Sequence, residues 1–308
     1  MEQSFRSGRP VVQEESVTVS INATTRLLGV LGDPVGHSLS PEMHNAALRA
    51  AGLPCVYLAF AVPPVELREA VAGLRAIGAI GVNLTIPHKE AILAMLDVIA
   101  PEAQAVGAVN TLEFRDGLLV GHNTDVAGIL AALREADVRL DGASVVVMGA
   151  GGSARAVCWA LRSSGARITI CNRTPSRAES LAAMLGNSPG AGTVDVVEPG
   201  ERSFVDALQG ASLIINTTSV GMSPRSEAMP EIPLRSLAHG TMVCDLIYRP
   251  RQTRLLKEAE EAGCRTMNGV SMLVHQGAAS FRIWLGVEPD TVAMRNAVET
   301  ALAAGGGR

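Results

Sequence analysis

Aromatic side chains are scarce: five Phe, two Trp and two Tyr among 308 residues, or 3%. That excludes a surface that binds single strands by stacking bases on aromatic platforms. Positive charge is not in excess either. The net charge is −4, which argues against a broad phosphate-backbone footprint and hence against a nucleic-acid partner. The five cysteines, Cys55, Cys158, Cys171, Cys244 and Cys264, are odd in number, widely spaced and form no C-x-x-C. A disulfide framework and a cysteine zinc site are thereby excluded, and the thiols are expected reduced and buried. The six histidines form no H-E-x-x-H and no carboxylate–His group with metal spacing, so no metal is expected. No run of about 18 apolar residues exists to cross a membrane. Residues 1–25 are mixed polar and lack the apolar segment of a secretory signal. The expectation is a cytoplasmic protein with a poorly ordered tail over residues 1–25.

What is present is 47% hydrophobic and 18% charged, with 31 Gly. A core of Ala, Val, Leu, Ile and Met in tight α/β packing follows, and the length suits about two domains. Strands are expected at Leu27–Leu31, Val56–Val62 and Ile80–Leu84. They alternate with helices at Pro41–Ala51 (Ser40 as N-cap), Pro64–Ile77 and Lys89–Ile99. This alternation predicts a largely parallel sheet. A second βαβ unit begins at the strand Ser144–Met148 and passes through a helix over Ala154–Ser163 to a strand at Arg167–Cys171. Buried strands follow at Leu213–Asn216 and Met242–Leu246, with a helix at Thr253–Ala262. Residues Gly186–Gly200 read as an irregular connection. Two helices, Ser271–Trp284 and Pro289–Ala303, close the chain.

The strand–helix turn of the second unit reads Gly149-Ala150-Gly151-Gly152-Ser153-Ala154, a match to G-x-G-x-x-[GA]. Glycines alone mark an ordinary turn. Between an apolar strand and a helix they mark a pyrophosphate site. The first permits the turn, the second lets the backbone approach the ligand, and the helix N-terminus favours its charge. After the next strand, where an NAD site places a carboxylate for the ribose 2′-hydroxyl, stand Asn172-Arg173-Thr174-Pro175-Ser176-Arg177. Two guanidinium groups at a helix N-terminus oppose the dipole, but they suit a 2′-phosphate. NADP is therefore expected over NAD.

Four loops of the first unit end on neutral hydrogen-bonding groups: Gly32–Pro41, Gly81–Lys89, Gly107–Thr111 and Gly121–Asp125. Turn chemistry explains each alone; the set suits a small polyhydroxylated substrate. The loops carry G-x-P-x-x-H-S-x-S-P-x-x-H-N (Gly32–Asn45), N-x-T-x-P-x-K (Asn83–Lys89), GAVNT (Gly107–Thr111) and NTD (Asn123–Asp125). Downstream come NRT-x-x-R, NTTSVGM (Asn216–Met222), D-x-x-Y (Asp245–Tyr248) and M-L-V-x-Q (Met272–Gln276). In these motifs, from about Arg26 to its end, the chain resembles the shikimate/quinate dehydrogenase family.

The resemblance implies an α/β fold of two domains. An N-terminal substrate domain (26–126) is joined by C-terminal helices (271–308) that return to it, and a Rossmann dinucleotide-binding domain spans 127–270. It implies a monomer or homodimer. The implied activity is reversible NADPH-dependent reduction of 3-dehydroshikimate to shikimate, in aromatic amino acid (chorismate) biosynthesis. Lys89 and Asp125 would form the catalytic pair. Ser38, Ser40 and Tyr248 would hold the carboxylate, and Asn83, Thr85, Asn110 and Gln276 the ring hydroxyls. NADP(H) would be held by Gly149, Ala150, Gly151, Gly152, Ser153, Asn172, Arg173, Thr174, Arg177, Thr218, Ser219, Leu246 and Gly269. Hydride arriving at a ketone leaves negative charge on oxygen, which a lysine ammonium stabilises while donating the proton. His37, His44 and Trp284 are read as structural. Arg249 and Arg251 depart from the family pattern beside Tyr248. Alternatives are a quinate/shikimate dehydrogenase with dual NAD/NADP use and a non-catalytic NADP(H)-binding sensor; the presence of both Lys89 and Asp125 argues against the sensor.

Overall fold

In the computed structural model, which describes residues 21–186 and 192–305, two six-stranded sheets each carry helices on both faces. The expected tail falls mostly outside the described residues, as does part of the Gly186–Gly200 connection. The first sheet contains β1 (Arg26–Gly32), β2 (Cys55–Ala61), β3 (Gly81–Leu84), β4 (Val98–Ile99), β5 (Thr111–Arg115) and β6 (Leu118–His122), in the order β2-β1-β3-β5-β6-β4. The second contains β7 (Ser144–Met148), β8 (Arg167–Cys171), β9 (Val194–Val197), β10 (Leu213–Asn216), β11 (Met242–Asp245) and β12 (Arg265–Met267), in the order β12-β11-β10-β7-β8-β9. All its pairings are parallel. Renumbered from β7, that order is the 3-2-1-4-5-6 arrangement of dinucleotide-binding sheets.

The helices are α1 (Ser40–Ala50), α2 (Leu67–Ala76), α3 (His88–Ala91), α4 (Pro101–Val106), α5 (Asp125–Glu135), α6 (Gly152–Ser163), α7 (Pro175–Gly186), α8 (Arg202–Gln209), α9 (Arg254–Glu261), α10 (Val270–Leu285) and α11 (Thr291–Gly305). Strand alternation sorts the cores. Leu28 and Val30 of β1 pack with Met43, Val274, Phe281, Trp284 and Val298, whereas Leu31 faces Leu67, Val71 and Ala103 on the other side. In β7, Val145 and Val147 meet Ile129 and Val157, and Val146 and Met148 meet Phe204 and Leu255. The last two helices do return to the first sheet. Trp284 is a core residue whose indole N–H donates to the Leu112 carbonyl at 2.8 Å. A Cβ at Gly128 would lie 2.8 Å from that of Gln276, so this glycine sets the close approach of α5 and α10. The five cysteines are free and buried.

Three local expectations are corrected. The first sheet is parallel over β2-β1-β3, but β5 and β6 form an antiparallel hairpin. Its turn is Asp116-Gly117, both at positive φ (51° and 79°), the backbone that a two-residue hairpin demands. The helix expected over Lys89–Ile99 stops as α3 plus a short 3₁₀ turn. Beyond it Asp97 accepts from the Leu119 amide at 2.8 Å, and β4 joins β6. Finally, Ser40 is not an N-cap; Leu39 holds that position. The Ser38 hydroxyl accepts from the Ser40 amide at 3.3 Å instead, which leaves the Ser40 hydroxyl for other partners.

Candidate active site

The C-terminal ends of β1, β3, β7, β10 and β11 meet at one cavity of about 880 Å³. In a sheet of this order the strand order reverses between β7 and β10, and that is where ligands sit. The loops after those strands carry the glycine turn and Thr217–Ser219.

Its polar centre is the ion pair of Lys89 and Asp125, Nζ to Oδ2 at 2.6 Å, with side chains only 12% and 5% exposed. Such a pair, once buried, is costly to break from one side. Lys89 lies in α3 and Asp125 opens α5, where a carboxylate is favoured by the helix dipole. The other carboxylate oxygen accepts from Asn110 Nδ2 at 2.8 Å. Lys89 also donates to Ser153 Oγ at 3.2 Å, in the first turn of α6. A Cβ at Gly152 would fall 3.0 Å from Lys89 Cβ. The glycine turn of one sheet thus rests on the lysine of the other. Glu90 adds a second bridge, 3.3 Å from Arg155 and 3.8 Å from Arg177. An ammonium has three donors, so one remains for a ligand.

Behind the pair lies a polar network with few open positions. Asn110 Oδ1 accepts from the Thr124 amide at 2.7 Å, and its amide nitrogen also reaches Thr124 Oγ1 and Gln276 Oε1. Asn83 donates to the Asn110 carbonyl, Thr111 and Ser280, and accepts from the Tyr57 hydroxyl at 2.7 Å. Both amides line the cavity, yet their bonding capacity is largely met within the protein. Tyr57 and Ser280, unforeseen in the sequence, complete this frame from positions 26 and 197 residues distant from Asn83. His44, stacked on Tyr57 with ring centroids 4.3 Å apart, is wholly buried. Burial pushes its pKa down to about 3, which makes it a neutral packing element, as expected. His37, by contrast, lines the cavity.

Ser38, Ser40, Thr85, Tyr248 and Gln276 also line the cavity, with Thr218, Ser219, Leu246, Gly269 and Ser153 on the dinucleotide side. Burial raises the pKa of the Tyr248 and Tyr57 hydroxyls, against which Ser38 draws Tyr248 and Ser40 draws Tyr57 back down. Asn172, Arg173, Thr174 and Arg177 stand apart from it, at the end of β8 beside the glycine turn. Gly149 has φ +110°, and a Cβ there would lie 2.5 Å from Thr217 Oγ1, whereas one at Gly151 would project into open space. With exposed Arg173 and no carboxylate at the β8 end, these residues fit a dinucleotide with an anionic adenosine end.

Asp245 closes the floor at the end of β11. It is fully buried and accepts from Asn216 Nδ2 (3.0 Å), the Ile247 amide (3.1 Å) and Thr253 Oγ1 (2.7 Å). Asn216 in turn accepts from the amide and hydroxyl of Thr218. One carboxylate therefore organises the two cofactor-side loops.

The class is thus a two-domain α/β dinucleotide-binding protein with a buried Lys–Asp pair in the cleft between its sheets. Known proteins agree. Three family models match in chain order: the shikimate dehydrogenase substrate binding domain over residues 30–112, shikimate / quinate 5-dehydrogenase over 131–198, and the shikimate 5′-dehydrogenase C-terminal domain over 269–299. A shikimate dehydrogenase (NADP(+)) of Symbiobacterium thermophilum is 49% identical over 278 residues, 90% of this chain and 95% of its own. The shikimate 5-dehydrogenase of Thermus thermophilus, solved with NADP(H) and shikimate, has a TM-score of 0.80 at 41% identity, covering 90% of this chain and 100% of that one. A 5-ketofructose reductase of a Gluconobacter species has a TM-score of 0.79 at 37% identity over 91% and 100%. The chain belongs to the shikimate dehydrogenase family.

Burial raises the Asp245 pKa to about 6, although Thr253, Ile247 and Asn216 all bond the charged form. A folded value above the unfolded one means that the native state holds the proton longer. This group's contribution to stability is therefore largest below about pH 4 and falls as pH rises toward 6. Asp245→Asn, which keeps one acceptor and can donate to Thr253, should remove that fall. Denaturant unfolding of both proteins at pH 5 and pH 7 checks it: from pH 5 to pH 7 the variant should gain on wild type by about 1 kcal/mol.

Proposed function

We propose that this chain catalyses the reversible NADPH-dependent reduction of 3-dehydroshikimate to shikimate, a step of aromatic amino acid biosynthesis, in the cytoplasm. The observation that carries the reading is the buried Lys89–Asp125 pair set directly against the first turn of the glycine-loop helix. The hinge falls near residue 126, with the chain's end returning from residue 271; closure about such a hinge expels water from the cleft.

Gly149–Ser153 would hold the pyrophosphate of NADPH and Asn172, Arg173, Thr174 and Arg177 its 2′-phosphate; the cofactor would supply the hydride. Thr218, Ser219, Leu246 and Gly269, placed at the cavity, would hold its nicotinamide end. Lys89 directs its remaining donor at the ketone oxygen. There the ammonium stabilises the growing negative charge and then gives up its proton, forming the product hydroxyl. In the reverse direction the neutral amine takes that proton back. Asp125 holds the ammonium in place and accepts from a neighbouring substrate hydroxyl, its own position set by Asn110. Gln276 and Thr85 meet the remaining hydroxyls. Asn83 serves chiefly to fix Asn110, since Tyr57, Thr111 and Ser280 already engage its amide. Ser38, Ser40 and Tyr248 receive the carboxylate.

The direct test follows absorbance of the reduced nicotinamide with shikimate or quinate, each with NADP+ or NAD+. Shikimate with NADP+ should be the best combination, and no activity with it would overturn the reading. Better turnover of 5-ketofructose would move the chain to the other activity seen among its structural relatives. Lys89→Ala should cut turnover by about 10²–10⁴-fold while NADPH fluorescence still reports binding; near-normal turnover would refute the role of Lys89. For the cofactor, Arg173→Asp should weaken NADP+ far more than NAD+ in direct titrations. Equal losses would remove Arg173 from the phosphate site.

A further inference from the structure

The lip of the cavity beside Ser38, Ser40 and Tyr248 carries His37, Arg225 and Arg249. Asp125 is the sole acidic residue in the lining, and Lys89 cancels it. The lining is thus left with two uncompensated guanidinium groups. Among the described residues no carboxylate lies within 4 Å of Arg225 or Arg249, whereas Arg251, two residues along, is neutralised by Glu299 at 2.8 Å. Arg249 is half-buried and Arg225 exposed. The Ser223 amide donates to the Arg249 carbonyl at 3.2 Å, which joins the two loops of the lip.

The charge of Arg249 acts on groups inside the cavity. Burial lowers the pKa of His37, and Arg249 lowers it further. Burial raises the Tyr248 hydroxyl, while Ser38, the Leu39 backbone and Arg249 draw it back. Exposed Glu42 opposes Arg249 at Tyr248 but does not line the cavity. The three groups assigned to the carboxylate, Ser38, Ser40 and Tyr248, are all neutral hydroxyls. They can donate to an anion, but they do not balance its charge. A guanidinium beside them does both, with a fork that matches a carboxylate.

We propose that Arg249 is a specificity-determining residue: it reads the substrate's carboxylate from the lip of the cavity and draws anionic substrates in. This rests on the functional reading above, in which a ring carboxylate lies at Ser38, Ser40 and Tyr248.

The test compares shikimate with its neutral methyl ester, both oxidised with NADP+. Arg249→Gln should lower the ratio of kcat/KM for acid over ester about tenfold. The loss should lie in the KM for shikimate. The fall of kcat/KM with added salt, steep for the acid in the wild type, should flatten in this variant. Arg249→Lys should restore the salt dependence but only part of the KM, because it returns the charge without the fork. An unchanged acid-to-ester ratio in an active Arg249→Gln enzyme would overturn the proposal. Should that variant fail to bind NADPH, the wild type still decides: equal salt slopes for acid and ester defeat the proposal, and a steeper slope for the acid supports it. A wild type that oxidises neither compound defeats the functional reading, and this inference with it; equal slopes in an active wild type defeat this inference alone.

Discussion

One ion pair holds the site together. Lys89 and Asp125 come from different helices, α3 and α5, that follow strands of the first sheet, and both are nearly removed from water. Neither could stay buried without the other, because a lone charge in that position carries a desolvation cost of several kcal/mol. The pair therefore constrains its surroundings. Asn110 must occupy the free oxygen of Asp125, and Thr124 and Gln276 must hold Asn110. The glycine turn must offer Ser153 and a side-chain-free Gly152 to the lysine stem. Through this last contact the chemistry of one sheet is indexed to the nucleotide-type loop of the other.

The two sheets suit that arrangement for a topological reason. Parallel strands deliver all their C-terminal loops to one edge, so the edges can face each other across a cleft. The second sheet contributes its switch point, between β7 and β10. The first contributes the loops after β1 and β3. The return of α10 supplies Gln276 and Ser280 from the far end of the chain. Packing of α10 on α5 through Gly128 sets their depth. Burial of Asp245 beneath the cofactor-side loops gives that wall a rigid floor.

Much of this was legible in the chain. Gly149–Ala154 could be read because its meaning is local: a strand, a turn and a helix in immediate succession. The polar loops could be read because hydroxyls and amides recur at strand ends. The parts that the chain does not display are mostly non-local. Tyr57 and Ser280 belong to the site only through Asn83, and nothing in their neighbourhoods marks them. Asn83 and Asn110 were expected to face a ligand, but most of their bonds go to the protein, a difference that only three-dimensional neighbours reveal. The β5–β6 hairpin is a different case. Its Asp116-Gly117 turn is a strong local signal, masked by the alternating βα pattern around it. Ser40 looked like a helix cap because residue type alone does not show that Ser38 accepts from its amide.

The central claim is that Lys89 and Asp125 act as one unit. A double-mutant cycle measures this most directly, using Lys89→Met, Asp125→Asn and the pair, with single-turnover hydride transfer from NADPH as the readout and NADPH binding as the check on folding. Residues that act as a unit are strongly non-additive. The double variant should therefore be little slower than the slower single variant. Losses that multiply would show two independent contributions and contradict the account.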